Sequence, residues 1–204
     1  MNDKLRTILW VILAAAYLAI RLIFTVELDG LGQYTPYIFE IGCVIAAACL
    51  YGPGVAQLFS FQKSWLKEMI FPLAAGALVH RLAIYLGIGI PFDLSGTMVL
   101  VFLLIVAPIL EELIFRFLLW QPLLRASKMP VIALAVTSVL FSYAHFHPFW
   151  FLGENVHQFI YYQTAYTLLL GFGCGYFVFR QGSLLGAMLA HFAFNLGFYL
   201  ALYL

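Results

Sequence analysis

Seven apolar segments, separated by short connections that carry much of the charge, leave this chain few folds to choose from. They run from about Ile8 to Val26, Pro36 to Leu50, Met69 to Ile90, Thr97 to Trp120, Met129 to Trp150, Gln158 to Phe179 and Ser183 to Leu204. The second can continue toward Phe61 past a break at Gly52-Pro53-Gly54. Crossing a hydrocarbon core takes about 20 mostly apolar residues in a helix. Composition agrees: 65% of the 204 residues are hydrophobic and 9% are charged, against roughly 25% charged in an average soluble domain. Too few polar groups remain to cover a water-facing surface, so the solvent for this chain is lipid. The segments are continuous runs rather than alternating ten-residue strands, which excludes a β-barrel. The expected fold is all-α, a polytopic membrane bundle of about seven transmembrane helices, with residues 1–204 as a single integral membrane domain.

Connection charges give the orientation. Lys4 and Arg6 precede the first segment, Lys63 and Lys67 lie between the second and third, Arg125 and Lys128 between the fourth and fifth, and Arg180 between the sixth and seventh. The intervening connections carry Glu27 and Asp29, then Asp93, then Glu154. This alternation supports the count of seven and puts the N-terminus in the cytoplasm. The start of the chain resembles a signal peptide, with Ala14-Ala15-Ala16 as a small-residue site. The apolar run before those alanines is short and hydrophobicity continues past them, so the segment reads as a retained first span. Cys43, Cys49 and Cys174 all fall in apolar runs without a CxxC pair and read as small core residues. A net charge of +1 offers no basic face for nucleic acid.

Charges inside spans cost roughly 3 kcal/mol each on insertion scales, so they face protein or a water-filled cavity. Arg21, Glu40, His80, Arg81, Glu111, Glu112, Arg116, His145 and His191 are such residues. Glu40 has Arg21 or Arg81 as a structural partner. On the fourth segment Glu112 and Arg116 are four apart and share a helix face. Glu111 is rotated about 100° from Glu112 and has no partner on its own helix; an unpaired carboxylate at a cavity suits a general base. On the fifth segment Phe141 and His145 share a face, and on the seventh His191 and Asn195 do. A His/Asn pair offers two side-chain donors to a developing oxyanion, although either residue also serves as interhelical polar glue. At ~1.5 Å per residue, Glu111 and His191 lie roughly 12 to 14 Å from the cytoplasmic ends of their segments, but His145 lies roughly 24 Å from its own. The three come level only if the fifth helix begins below the membrane surface or tilts strongly. His147 and His157, within an aromatic belt at the outer ends of the fifth and sixth segments, read as interfacial, and Tyr161, Tyr162 and Tyr166 as packing residues.

Glu111-Glu112 with Arg116, then Phe141 with His145, then His191 with Asn195, resemble in order and spacing the EExxxR, FxxxH and HxxxN motifs of the CAAX-protease and bacteriocin-processing (CPBP or Abi) family of intramembrane proteases. QGSLLGAMLAH, ahead of the last motif, looks like the family too. One departure is Phe117, where many members have glycine. The resemblance implies a helix bundle with a catalytic cavity and a motif-bearing core at about 97–204. It implies an endopeptidase acting on a peptide or membrane-anchored protein at the bilayer, with no cofactor. By the same likeness Glu111 is the general base, His145 helps hold the attacking water, and His191 and Asn195 form the oxyanion hole. Glu112 and Arg116 are a supporting pair, and Phe141 is a supporting residue.

Two alternatives stand beside this. Glu111, His145 and His191 could instead be zinc ligands of a metalloprotease. The polar groups could also belong to a non-catalytic membrane binding or immunity protein. The compact size suggests a bacterial inner membrane.

Overall fold

The computed structural model describes residues 2–32, 34–91 and 93–203. Among them there is no strand, and the helices form an all-α membrane bundle. Seven rods answer to the seven apolar segments. They are α1 (Asp3–Ile23), α2 (Thr35–Tyr51), α3 (Trp65–Tyr85), α4 (Thr97–Ser127), α5 (Pro130–Phe146), α6 (His157–Gln181) and α7 (Leu184–Leu200). The end of the last segment, Leu204, lies outside the described residues. Five rods are long and apolar enough to cross a membrane: α1, α3, α4, α5 with its short 3-10 extension to Trp150, and α7 with its extension to Tyr203. α2 and the 3-10 turn Pro53–Phe59, bent by 113° at the glycine–proline break, make a sixth if the bent pair is counted as one span. At that break Gly52 sits at φ 89°, where only a residue without a Cβ is unstrained. The remaining rod, α6, is 25 residues long. Tyrosines, Gln163, two threonines and three glycines make it less apolar, and it packs along both α5 and α7.

The helices are not equal in depth. In α7, 67% of the spanning window is buried, against 17% in α1 and α3, so α7 is an inner helix and those two face outward. Exposed Ile8, Ile12, Leu78 and Leu169 give the outer surface its apolar character, as lipid requires. Centrally, α4 touches α1, α2, α5 and α7. From Ile114 to Pro122 every residue of α4 is buried, the mark of a helix packed on all sides.

The tightest crossing is α3 against α7. A Cβ built on Gly76 would overlap the Phe194 carbonyl, and one on Gly197 would overlap the Leu73 carbonyl. Small residues here let two backbones meet, the usual device for packing helices in lipid. His80 lies one turn beyond Gly76, is 1% exposed and packs its ring 4.7 Å from that of Phe198. Gly197→Ala is expected to cost about 1–3 kcal/mol by overpacking, read as a lowered midpoint of thermal unfolding in detergent, whereas Gly173→Ala, with open space at its Cβ, should change little.

The difference in depth between His145 and the other motif residues has a structural explanation. The fourth helix does not end at Trp120, as its apolar run suggests, but continues to Ser127. Its last eight residues, Trp120–Ser127, are amphipathic, and the Arg125 guanidinium lies over the rings of Trp10 and Tyr51, at 4.9 and 5.2 Å. A left-handed turn at Lys128, φ 56°, then reverses the chain into α5, which starts with Pro130. Counted from these ends, Glu111 and His145 are 16 and 15 residues in, about 24 and 22 Å, so they are level. Helix α5, which carries His145, begins beyond the end of the apolar run of α4. The first turn of α7 packs on the connection between α2 and α3: Ser183 donates its hydroxyl to the Ser60 carbonyl at 2.8 Å, and Gly186 sits against Trp65. His191, seven residues into α7, reaches Glu111, with its Nε2 3.9 Å from Glu111 Oε2.

Candidate active site

Helix α4 departs from α-helical geometry twice, over Phe102–Val106 and over Leu113–Leu119, where the turns widen to π-helix. The first widening leads into buried Pro108, whose missing N–H breaks the ladder of a regular helix. Widened turns of this kind often sit at functional sites. The regular turn between them carries Glu111 and Glu112. Backbone carbonyls within the widened stretches accept side-chain bonds from other helices. Asn195 Nδ2 donates to Leu103 O at 2.7 Å, and Trp10 Nε1 donates to Leu118 O at 3.0 Å.

The two adjacent glutamates do face apart. Glu112 is fully buried, with one oxygen 3.2 Å from Arg116 Nε and the other 3.0 Å from His191 Nδ1. Arg116, equally buried, also donates from Nη1 to Thr137 Oγ1 at 2.8 Å and from Nη2 to the Gly171 carbonyl at 2.7 Å. One pair of opposite charges thus ties α4 to α5, α6 and α7. Each bond answers a buried charge that would otherwise be very costly. Thr137 and Gly171 were not singled out from the sequence. Thr137 was within reach, because it stands four residues before Phe141 and eight before His145 on the same face of α5. Gly171 contributes only a carbonyl, and no side-chain signal marks it.

Glu111 turns the other way. Its side chain is 28% exposed and lines two cavities, of about 250 and 450 Å³. Its Oε2 is buried and has no hydrogen-bond partner among the described residues. That oxygen lies 4.0 Å from His145 Nε2 and 3.9 Å from His191 Nε2. Both rings are held by their other nitrogen. His145 Nδ1 is 2.9 Å from the Phe141 carbonyl, which can only accept, so Nδ1 carries a proton. His191 Nδ1 likewise donates to the Glu112 carboxylate. In their neutral forms both histidines therefore present a bare Nε2 toward Glu111. Phe141 packs against both rings, with centroids 4.8 Å from His145 and 5.7 Å from His191. Asn195, one turn beyond His191, lines the larger cavity, and its amide keeps a second N–H beyond the one given to Leu103.

Every motif residue singled out in the sequence thus meets in one cluster: Glu111, His145, His191 and Asn195 around the cavities, with Glu112, Arg116 and Phe141 behind them. The remaining intramembrane charges sort differently. Glu40 pairs with Arg21, at 3.2 Å, while Arg81 is exposed on the outside of α3. His147 hydrogen-bonds the Leu22 carbonyl and His157 the Leu152 carbonyl, both at helix ends. Tyr166 packs on Phe194 and also lines the larger cavity.

Among the described residues, the trio of donor atoms lying within 4.8 Å of one another belongs to Glu112, Cys174 and His191, not to Glu111, His145 and His191. Both Glu112 oxygens in that trio are already taken up by Arg116 and His191. A guanidinium bound to the carboxylate does not suit a cation site.

Fold and cluster together define a multi-pass integral membrane protein with a carboxylate, two histidines and an amide gathered at cavities inside its helix bundle. Residues 93–197 match the family described as type II CAAX prenyl endopeptidase Rce1-like, and the chain belongs to that family. The matched stretch covers more than half of the protein and contains every residue of the cluster. The comparison with curated proteins gave no match, and neither did the comparison with solved structures. The family is one of endopeptidases, which makes this chain a protease of the membrane with a peptide or protein substrate.

Proposed function

We propose that the protein hydrolyses a peptide bond by a water activated at Glu111, without a metal. The observation that carries this is the unpartnered Glu111 Oε2 set 4.0 Å from His145 Nε2 and 3.9 Å from His191 Nε2. These distances are too long for direct hydrogen bonds. They suit one water making bonds of about 2.8 Å at a near-right angle. Such a water gives one proton to Glu111 and directs the other to His145 Nε2, leaving a lone pair for the carbonyl carbon. As the water attacks, Glu111 takes the proton, the C–O bond forms, and the carbonyl electrons move onto oxygen. The oxyanion is met by the free N–H of Asn195 and by His191. For His191 to donate from Nε2 it must be an imidazolium, because Nδ1–H is already given to Glu112, and the Glu112 carboxylate stabilises that cation. Collapse of the intermediate breaks the C–N bond, and the proton held by Glu111 passes to the leaving amine.

His191→Ala, which removes one of the two oxyanion donors, is expected to lower kcat about 10²- to 10³-fold. An unchanged kcat would contradict the role of His191.

Residues 1–204 are proposed to act as one protease unit, with the chemistry in about 97–204. The bilayer is proposed to be a bacterial inner membrane, with the N-terminus in the cytoplasm, as the basic connections at Lys63, Arg125 and Arg180 suggest.

The test is cleavage of a quenched-fluorescent peptide library by purified protein in detergent, with and without a strong zinc chelator. Activity that survives chelation and vanishes in Glu111→Gln supports the glutamate peptidase. Activity lost to chelation and restored by zinc would turn Glu111, His145 and His191 into metal ligands. Activity indifferent to Glu111→Gln would overturn the site.

A further inference from the structure

Both cavities at Glu111 draw their linings from one end of the bundle. The larger takes Met98 and Leu103 from the start of α4, Gln163 and Thr167 from the first half of α6, and Asn195 and Phe198 from the second half of α7. The smaller takes Tyr17 and Arg21 from the last turns of α1, Tyr37 and Glu40 from the first turns of α2, and Tyr143 and His147 from the end of α5. Along α4 the lining stops at Phe115, and along α6 at Leu170. Met98, one residue into α4, is 83% exposed and lines the same cavity as Glu111. That cavity therefore runs from the end of the helix to the cluster, along ~20 Å of α4.

The other end is packed. From Ile114 to Pro122 every residue of α4 is buried, and Trp10, Trp65 and Trp120 are at most 2% exposed. Trp10 donates to the Leu118 carbonyl, meets Phe117 and Tyr51 edge-on, and carries the Arg125 guanidinium over its ring. A third cavity, of about 320 Å³, lies toward this end between α3, α6 and α7, but it is walled by apolar groups such as Phe71, Pro72 and Phe177 and touches neither Glu111 nor His145 nor His191. Charge separates the two ends as well. The connections at the open end, 24–34, 86–96 and 147–156, contain Glu27, Asp29, Asp93 and Glu154 and no Lys or Arg. Of the 10 Lys and Arg residues, Lys4, Arg6, Lys63, Lys67, Arg125, Lys128 and Arg180 stand at the packed end, and the open end has Arg21 and Arg81, both within helices. Basic connections stay in the cytoplasm, so the open end faces away from it.

We propose that the substrate is a polypeptide segment presented on the non-cytoplasmic side of the bilayer, which reaches Glu111 through the open end of the bundle. The step that supplies it is then translocation of a chain across the membrane. This rests on Glu111 being the point of cleavage and on the cytoplasmic N-terminus. Access is read without turnover, by thiol labelling. Cys43 and Cys174 are buried and Cys49 is exposed, so single cysteines are introduced into a Cys49→Ala background. Gln163→Cys and Val99→Cys line the larger cavity outside the cluster, and either serves should the other not fold. Lys63→Cys marks a basic connection. The full chain, in right-side-out and in inverted membrane vesicles, is treated with a charged, membrane-impermeant maleimide. The cavity cysteines should be labelled in right-side-out vesicles and spared in inverted ones, and Lys63→Cys should show the reverse. Cavity cysteines labelled from the cytoplasmic face, or from neither face, would overturn the proposal, as would Lys63→Cys labelled from the outside. Failure of the peptidase reading has a different signature: cleavage in detergent that is indifferent to Glu111→Gln, with the labelling pattern unchanged.

Discussion

Glu111→Gln should leave a folded protein with peptidase activity lowered by at least about 10³-fold, since loss of a general base alone costs 10² to 10⁴ and the water loses its alignment as well. The substitution tests chemistry rather than folding. Glu111 Oε2 makes no hydrogen bond to any of the described residues, and glutamine has nearly the same shape. The unfolding midpoint should therefore stay close to that of wild type. A further expectation separates base from metal ligand. A metal held by Glu111 would be weakened by the substitution and rescued in part by excess zinc, whereas a lost base is not restored by any metal. Activity and thermal unfolding measured on the same preparation check both.

Breaking the Glu112–Arg116 pair should act in the opposite way, on stability first. Both side chains are fully buried, and Arg116 holds Glu112, Thr137 and the Gly171 carbonyl together. Arg116→Met leaves the Glu112 charge with His191 and the Cys174 thiol beside it, and Glu112→Leu leaves a buried guanidinium. Each is expected to cost about 3–5 kcal/mol, because an uncompensated charge remains in a dry interior. The double variant Glu112→Leu/Arg116→Met removes both charges and should be more stable than either single variant. It should still be impaired in catalysis, because His191 Nδ1 then has no carboxylate to fix its ring. Equilibrium unfolding of the four proteins closes the cycle. Additive losses, with the double variant least stable of all, would contradict the account of a coupled pair.

Much of the site was legible because helical spacing carries it. A 100° step between neighbours placed Glu111 and Glu112 on different faces, and a four-residue step paired Glu112 with Arg116 and stacked Phe141 beneath His145. The seven rods followed from the lengths of the apolar runs. What the sequence left open depends on how helices end and cross. An apolar run stops at Trp120, but the helix does not, because an amphipathic segment continues it over the rings of Trp10 and Tyr51. Hydropathy registers lipid contact, not helix length, and the apparent mismatch in depth of His145 came from that difference. Arg21 and Arg81 were equal candidates for Glu40, and only the packing of α1 beside α2 decides for Arg21. The link from Glu112 to His191 spans 79 residues of chain, a distance at which no local pattern speaks.

The most direct test of water activation by Glu111 is a cleavage reaction run in ¹⁸O-labelled water, with the products read by mass spectrometry. Wild type should place one ¹⁸O in the new C-terminal carboxyl group in the presence of a chelator, and Glu111→Gln should yield no labelled product on the same timescale. A wild-type product without the label, or labelled product from Glu111→Gln at the wild-type rate, would contradict the central claim.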